Sequence, residues 1–311
     1  MENPPILITG SHRSGTTWVG KMLSLTDEVQ YIYECFHPNG ILRSKGIFDI
    51  WYKYLTNEEG HYINNLDRIF KYHYLFSEAY NPFDRNRKFN LRNTPVRLEF
   101  YRACKRIHNS DPSPTPLLKD PIALFSVSWL VKHFHIRPLI LIRHPAAFVS
   151  SLLRLNWRFN FENFLNQKKL MNQYLSSFED EMKKTYKNDA VKEGALLWNC
   201  LHHVINEYKK SYQNWLFKRH EDLSINPIDE FKTIYNFFGL VFTSEIEKEI
   251  KNHTSVINNS DVKIKGQIHQ LQRDSIANIK NWKKRLSDQQ ITVIRDMTEE
   301  ISSHFYSDDD W

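Results

Sequence analysis

The stretch ILITGSHRSGTTWVGKML, residues 6–23, constrains the fold of this chain more than any other part of its sequence. An apolar run predicts a buried strand, a loop with two glycines follows it, and a helical pattern begins at Thr16. The N–H groups of such a loop and the helix dipole converge on one point, which favours binding of a phosphate-like anion. The triphosphate-binding pattern G-x-x-x-x-G-K-[ST] would place Lys after Gly15, and Thr16 stands there instead. The sequence therefore predicts an anion-binding loop whose positive charge lies at Arg13.

Short apolar runs alternate with helical patterns along the rest of the chain, and this alternation predicts an α/β fold. We expect a single domain over residues 1–311, with a central, mostly parallel sheet flanked by helices. Ligands of such sheets bind beyond the carboxyl ends of the strands. The predicted strands are Ile6–Thr9, Tyr31–Tyr33, Leu117–Leu118, Pro138–Ile142 and Trp215–Phe217. The predicted helices are Thr16–Leu25, Ala123–Phe134, Ala146–Leu155, Ala190–Tyr212, Ile228–Phe238 and Asp288–His304.

Three segments interrupt the alternation of strands and helices. Residues 37–115, rich in aromatic side chains, and the polar helical residues 156–189 are interpreted as insertions over the ligand-binding edge of the sheet. Residues 252–281 have no clear period and predict a long loop, which in a compact domain is often functional. Ser287 with Gln290 predicts a capping box at the start of the last helix, and the final SDDDW is predicted to fray.

Composition narrows the class of protein. The mean hydropathy is −0.56, and no apolar run approaches the roughly 18 to 20 residues of a membrane helix. The first strand lies so near Met1 that a signal peptide is not expected. Three widely spaced cysteines without a C-x-x-C motif favour reduced thiols in a cytoplasmic protein, with neither disulfide nor metal site. The net charge of +6 suits an anionic ligand.

At this point the loop resembles a known family. HRSGTTW is similar to the 5′-phosphosulfate-binding loop of the sulfotransferases, whose donor is 3′-phosphoadenosine 5′-phosphosulfate (PAPS) and whose product is the bisphosphate PAP. The resemblance implies a P-loop-containing nucleotide hydrolase-like fold and PAPS-dependent sulfuryl transfer without a required metal. It also implies that the amides and hydroxyls of residues 14–17 hold the phosphosulfate, with Trp18 near the adenine.

A second motif supports the resemblance. LILIRHPAAFVSSLLR follows a predicted strand, and in it Arg143 and Ser151 match the family's 3′-phosphate signature of Arg with Ser eight residues later. The segment IKNWKKRLS resembles the one that closes over the nucleotide, which makes 252–281 a nucleotide-covering loop and assigns Lys280 to the 3′-phosphate. Donor binding is thereby assigned to His12, Arg13, Ser14, Gly15, Thr16, Thr17, Trp18, Arg143, Ser151 and Lys280.

Sulfuryl transfer needs a base for the acceptor proton and positive charge at the leaving phosphate. Arg13 is the first choice for that charge, and Lys119, in LLKDP at a strand end, is a second cation for the sulfuryl oxygens or the leaving group. Glu34, in YIYECFHPNG, is the leading base because related bacterial and carbohydrate sulfotransferases have E-P-F-H-P there. His37, His12 and, with less support from its surroundings, His108 are the alternatives. Asp120 is interpreted as a turn or helix cap.

The acceptor is expected to present a hydroxyl, or alternatively an amine, on a small molecule or a glycan bound by the 37–115 insertion. Two other functions compete with this hypothesis. A P-loop kinase would require Mg²⁺ and a Lys at position 16, which the sequence lacks. A non-enzymatic binder of nucleotides or nucleic acid would fit the basic charge, but no RNA- or DNA-reading motif occurs, so no nucleic-acid partner is expected.

Overall fold

In the part of the chain that the structure describes, the sheet contains five parallel strands in the order β2-β3-β1-β4-β5. The computed structural model describes residues 4–38, 47–57, 59–71, 113–184, 189–254 and 279–311. The strands are β1 (Ile6–Gly10), β2 (Val29–Tyr33), β3 (Thr115–Lys119), β4 (Arg137–Ile142) and β5 (Leu216–Arg219). All five predicted strands are therefore confirmed, each within about two residues at its ends, and so is the α/β fold class.

The helices lie on both faces of this sheet. They are α1 (Thr16–Leu23), α2 (His61–Phe70), α3 (Val127–Phe134), α4 (Pro145–Arg154), α5 (Glu162–Leu165), α6 (Lys168–Leu170), α7 (Glu179–Lys183), α8 (Ala190–Ser211), α9 (His220–Ile225), α10 (Pro227–Phe238), α11 (Ser244–Thr254) and α12 (Asp288–Ser302). The six predicted helices are confirmed, except that Pro121–Ser126 forms a 3-10 turn before α3. The helices α2, α9 and α11 were not predicted from the sequence.

Alternate residues of the strands pack into two cores, as the period of a strand requires. Ile8 and Leu141 face a layer formed with α1, α10 and α11. Leu7 and Ile140 face the larger layer, which includes α3, α4, α8 and α12. Every residue of β1 and β3 is buried, which explains their nearly continuous apolar sequences.

The parallel arrangement brings the carboxyl ends of all five strands to one edge of the sheet. Gly10, Glu34, Lys119, Arg143 and His220 lie at or immediately after those ends. Residues from five separate parts of the sequence therefore share one edge.

The two insertions contact each other where the structure describes them. The side chain of Asn163 accepts a hydrogen bond from the backbone N–H of Trp51 at 3.2 Å. Gln167 accepts from the N–H of Tyr54 at 2.8 Å and donates to the carbonyl of Tyr52 at 3.1 Å. These amides fix residues 51–54 against α5 and α6. Most of the predicted insertion 37–115, and residues 255–278 of the predicted loop, lie outside the described residues.

The end of the sequence differs from expectation. The capping box of Ser287 and Gln290 is confirmed. The prediction that SDDDW frays was wrong, because Asp308–Asp310 form a 3-10 turn with its own cap. Arg219 also binds Asp310 at 3.1 Å. Asp310 of this short acidic segment is thus paired with a basic residue distant in sequence.

Candidate active site

The loop between β1 and α1 has the backbone of an anion cradle. Gly10 and Gly15 have φ angles of +139° and +95°, and Arg13 adopts +66°. A Cβ at Gly10 would lie 2.3 Å from the carbonyl oxygen of Leu141, and one at Gly15 would lie 2.5 Å from Nδ1 of His220. Both glycines are therefore required by their backbone angles and by neighbours that approach too closely for a side chain.

The interior of this loop contains a polar atom that fits an anionic ligand. Oγ of Ser14 is fully buried and has no hydrogen-bond partner among the described residues. The hydroxyl can donate to a phosphate or sulfate oxygen, together with the N–H groups at the start of α1. The loop therefore satisfies the requirements for a bound phosphosulfate group.

A cavity of about 650 Å³ opens beside the loop at the carboxyl edge of the sheet. It is lined by the loop, by the end of β2, by α4, and by His220 and Ser224 of α9. Its size is within the range typical of small-molecule sites. The predicted site residues that line this cavity are His12, Arg13, Gly15, Thr16, Thr17, Trp18, Glu34, His37, Arg143 and Ser151.

Three residues assigned to the two ends of the donor meet in the structure. Nε of Arg13 donates to Oγ of Ser151 at 3.1 Å. The guanidinium of Arg143 donates to the carbonyl oxygen of Arg13. Arg143 therefore both faces the cavity and supports the loop, so that the two anion-binding motifs form one connected group.

Glu34 and Lys119 form an ion pair at the edge of the sheet. The ammonium of Lys119 donates to Oε1 of Glu34 and lies 3.7 Å from the ring centre of Tyr33. The side chain of Lys119 is fully buried, whereas that of Glu34 is 20% exposed and lines the cavity. Burial lowers the pKa of Lys119, and the adjacent carboxylate opposes that shift. Glu34 can thus contact a ligand. Lys119 does not line the cavity and holds Glu34 from its buried side.

The backbone near Glu34 is also constrained. Glu34 has a φ angle of +41°, and its N–H donates to the carbonyl of Lys119 at 2.9 Å. Asp120 caps the turn that follows, accepting from the N–H groups of Phe36 at 2.7 Å and Ile122 at 3.2 Å. Burial raises the pKa of Asp120 to about 7. The structure bears out the interpretation of Asp120 as a cap, and its two bonds fix the chain after Glu34.

His12 is poorly suited to act as a base. The hydroxyl of Tyr52 accepts from the N–H of His12 at 2.9 Å and lies 2.6 Å from its Nδ1. Burial lowers the pKa of His12 to about 3, so the ring is neutral. A neutral imidazole whose Nδ1 accepts a hydrogen bond from the Tyr52 hydroxyl carries its own proton on Nε2. It then has no free nitrogen that could take a proton from an acceptor. His37 lines the cavity near Glu34, and His108 lies outside the described residues.

His220 is a cavity residue that the sequence reading missed. It is half-buried against Trp18, with ring centres 5.8 Å apart, and its Nδ1 has no hydrogen-bond partner in the described chain. Burial and the nearby Arg143 lower its pKa to about 3. In the sequence His220 was only one member of RHEDL, and its close approach to Gly15 depends on the packing of β5 beside β4.

Lys280 is not brought to the cavity. Its ammonium donates to the carbonyl of Asp309 at 2.9 Å, at the end of the sequence. Arg285, five residues later, lines the cavity instead. Where the structure describes the chain, no group of three or more His, Cys, Asp or Glu side chains is arranged to hold a metal ion. No helix in these ranges is long and apolar enough to cross a membrane.

Comparison with known proteins adds three findings. The sequence model of the family described as "Sulfotransferase domain" matches residues 3–305. A curated relative, carbohydrate sulfotransferase 1 of Danio rerio, is 34% identical over 90 residues, which are 29% of this chain and 20% of the relative. The chain thus matches only about a fifth of that relative's length.

Among solved structures, the sulfotransferase domain from the curacin biosynthetic pathway has a TM-score of 0.50 at 13% identity, covering 97% of both chains. The sulfotransferase domain from the Synechococcus PCC 7002 olefin synthase has a TM-score of 0.49 at 16% identity, covering 98% of this chain and 96% of that one. At 13% identity, the likeness to the curacin-pathway domain is evidence for the fold alone.

Proposed function

Because this chain belongs to the sulfotransferase family, which uses PAPS as its donor, we propose that it transfers a sulfuryl group from PAPS to an acceptor hydroxyl. The observation that carries this proposal is the convergence of the loop, Arg143, Ser151 and Glu34 on one cavity. These groups supply two anion-binding motifs and one carboxylate, which are the minimum that the reaction needs.

The donor is held along the loop and α4. The N–H groups and hydroxyls of residues 14–17 bind the 5′-phosphosulfate, and the unpartnered hydroxyl of Ser14 supports this placement. Arg143 and Ser151 bind the 3′-phosphate, for which a guanidinium provides charge and paired N–H donors. Trp18 and His220 provide the surface for the adenine.

The transfer itself uses Glu34 and Arg13. The carboxylate of Glu34 takes the proton of the acceptor hydroxyl while that oxygen forms a bond to sulfur. The bond between sulfur and the bridging phosphate oxygen breaks, and that oxygen leaves with its electron pair as part of PAP. Arg13 stabilises the charge on the departing phosphate by hydrogen bonding, because a guanidinium does not give up its proton.

Lys119 acts through Glu34 in this proposal. Its buried ammonium keeps the carboxylate in place. It is therefore a positioning residue rather than a cation on the sulfuryl group.

The acceptor is proposed to be a carbohydrate. The half-buried indoles of Trp51 and Trp157 lie 5.6 Å apart between ring centres on the wall of the cavity that includes Glu34 and His37. Such rings stack on the apolar faces of sugars, and the 90-residue match to a carbohydrate sulfotransferase supports the same class.

Two cysteines in the described ranges, Cys35 and Cys200, are free, which supports a reducing, cytoplasmic location.

Calorimetric titration tests the donor site. We expect PAP to bind without Mg²⁺ and more tightly than ATP. A preference for ATP that requires Mg²⁺ would instead support a kinase. A screen of saccharide, phenol and amine acceptors with PAPS, read by the mass increase of a sulfuryl group, then tests the activity and the acceptor class together.

A further inference from the structure

The peptide group that joins Arg143 to His144 is held at both edges. Nε1 of the Trp198 indole donates to the carbonyl oxygen of Arg143 at 2.8 Å. The N–H of His144 donates to Oε1 of Glu221 at 3.1 Å. The plane of this peptide group fixes the backbone on the C-terminal side of Arg143, and therefore the direction in which its side chain leaves the strand.

Glu221 is itself held by the last residues of the sequence. It is 5% exposed, and its second oxygen, Oε2, accepts from the hydroxyl of Tyr306 at 2.9 Å. The buried carboxylate thus links the N–H of His144 to Tyr306. If either hydrogen bond is removed, a buried acceptor loses a partner, which is costly in a site closed to water.

The ring of His144 is enclosed by aromatic side chains from the same region. Trp282 stacks on it at 5.0 Å with an angle of 7°, and Tyr306 and Trp311 contact it edge to face at 4.9 Å and 4.4 Å. Both ring nitrogens are buried without hydrogen-bond partners among the described residues. The position of His144 therefore depends on packing against these rings and on its backbone N–H.

Residues 305–311 are anchored to the rest of the molecule by charged side chains. Arg219 donates to the carbonyl of Phe305 and to Asp310, both at 3.1 Å. Lys280 donates to the carbonyl of Asp309 at 2.9 Å, and Arg295 pairs with Asp308. These contacts come from three separate parts of the sequence, so residues 305–311 form an ordered latch over His144 and Glu221.

We propose that this latch, through Tyr306 and Trp311, positions Arg143 for recognition of the 3′-phosphate of the nucleotide. The inference rests on the proposed function, because it takes Arg143 as the ligand of that phosphate. Neither Tyr306 nor Trp311 lines the cavity, so both act through His144 and Glu221 rather than by touching the nucleotide. The latch assigns a role to residues 305–311 that the sequence motifs of the donor site do not include.

The test compares PAP with AMP, which lacks the 3′-phosphate, by calorimetric titration of the full chain. Tyr306→Phe keeps the ring and removes one hydrogen bond to Glu221. We expect it to weaken PAP binding by about five- to tenfold and AMP binding by less than about twofold. Trp311→Ala is expected to have the same selective effect, and Trp311→Phe to restore part of the PAP affinity.

Tyr208→Phe is the matched control. It also removes a hydroxyl hydrogen bond from a fully buried ring, here to the carbonyl of Phe125 at 3.3 Å, away from Arg143. Thermal unfolding of each variant verifies that it folds. Equal losses for PAP and AMP, or a fall in melting temperature with both affinities unchanged, would overturn the positioning role. If the wild-type protein binds PAP no tighter than AMP, the proposed function fails instead.

Discussion

Two glutamates at opposite edges of the described sheet have nearly the same position in the sequence pattern. Glu34 follows the last residue of β2, and Glu221 lies two residues beyond the end of β5. Glu34 pairs with one lysine, is partly exposed and lines the cavity. Glu221 is buried, accepts from His144 and Tyr306, and has no surface in the cavity. One carboxylate is available to a ligand and the other holds the backbone in place.

The difference shows that the groups in contact with a carboxylate determine its chemistry more than its position at the end of a strand does. The ion pair with Lys119 leaves Glu34 with oxygen lone pairs that can accept a proton from the acceptor. On Glu221, each oxygen has a partner within the protein, and burial raises the pKa of this group. Substitutions at the two edges should therefore affect different measurements, turnover at one and binding or stability at the other.

Replacement of Glu34 should have the largest effect. Glu34→Gln keeps the shape of the side chain but removes the base, so we expect turnover to fall by about 10²- to 10⁴-fold. PAP affinity should stay within about twofold of the wild type, since Glu34 is not a donor ligand. Turnover with PAPS and titration with PAP measure the two effects.

The matched control is Glu221→Gln, the same change at the other edge. We expect it to alter PAP affinity and thermal stability more than turnover at saturating donor. If Glu34→Gln retains near wild-type turnover, Glu34 is not the base, and His37 becomes the candidate. A larger loss of turnover from Glu221→Gln would reverse the comparison.

Removal of the Arg143 guanidinium should have the next largest effect. Arg143→Ala is expected to weaken PAP binding by about 10- to 100-fold, as for the loss of a charge-assisted hydrogen-bonded pair. AMP should lose far less, because it has no 3′-phosphate. Lys283→Ala, which removes an exposed cation, is the control for general electrostatic attraction. Equal losses for PAP and AMP would show that Arg143 mainly supports the loop at the carbonyl of Arg13.

Lys119→Met tests whether the Lys119 ammonium holds Glu34 in position. The methionine fills the buried space and removes the ammonium, so we expect turnover to fall by about tenfold as Glu34 loses its fixed position. The PAP dissociation constant should change little, since Lys119 does not line the cavity. A large loss of PAP affinity would instead mean that the ammonium reaches the sulfuryl group when the donor binds.

The sequence was a good guide to the fold because burial leaves a local signal. The runs of β1, β3 and β4 are apolar on both faces, and the capping box at Ser287 needs only four residues. The helices α2, α9 and α11 were not predicted, although α2 places Tyr62, Leu66 and Phe70 at helical spacing, because α2 lies within the segment interpreted as an insertion. The structure of 305–311 could not be predicted either, because Arg219 and Lys280 anchor it from far away in sequence.

The site could be predicted only where its residues form contiguous motifs. The loop and the segment around Arg143 were recognisable, and the structure places both at one cavity. Contacts between motifs leave no such signal. The burial of Lys119 behind Glu34, the approach of His220 to Gly15 and the turning of Lys280 toward Asp309 all depend on how the strands are ordered.

The packing of His144 at the sheet edge that includes Glu221 should also make the stability of the protein depend on pH. This is the smallest of the expected effects. Burial lowers the pKa of His144 to about 3 in the folded state, against an ordinary value of 6.5 for histidine. Between these values the unfolded chain binds the extra proton, so the stability contributed by neutral His144 is complete above pH 6.5 and declines as the pH falls toward 3. The expected loss is about 2 kcal/mol at pH 5.

His144→Phe removes this titration and keeps an aromatic ring between Trp282 and Trp311. The fall in melting temperature between pH 7 and pH 5 should then be smaller than in the wild type by a few degrees, roughly. Other histidines with a lowered pKa, His12 and His220 among them, titrate in the same direction and remain in the variant, so the dependence shrinks without disappearing. His304→Gln, at an exposed position, is the control and should leave the wild-type dependence unchanged. Identical pH dependence in His144→Phe and the wild type would mean that His144 is not held neutral by its enclosure, and that the Glu221 edge is more accessible to water than its packing indicates.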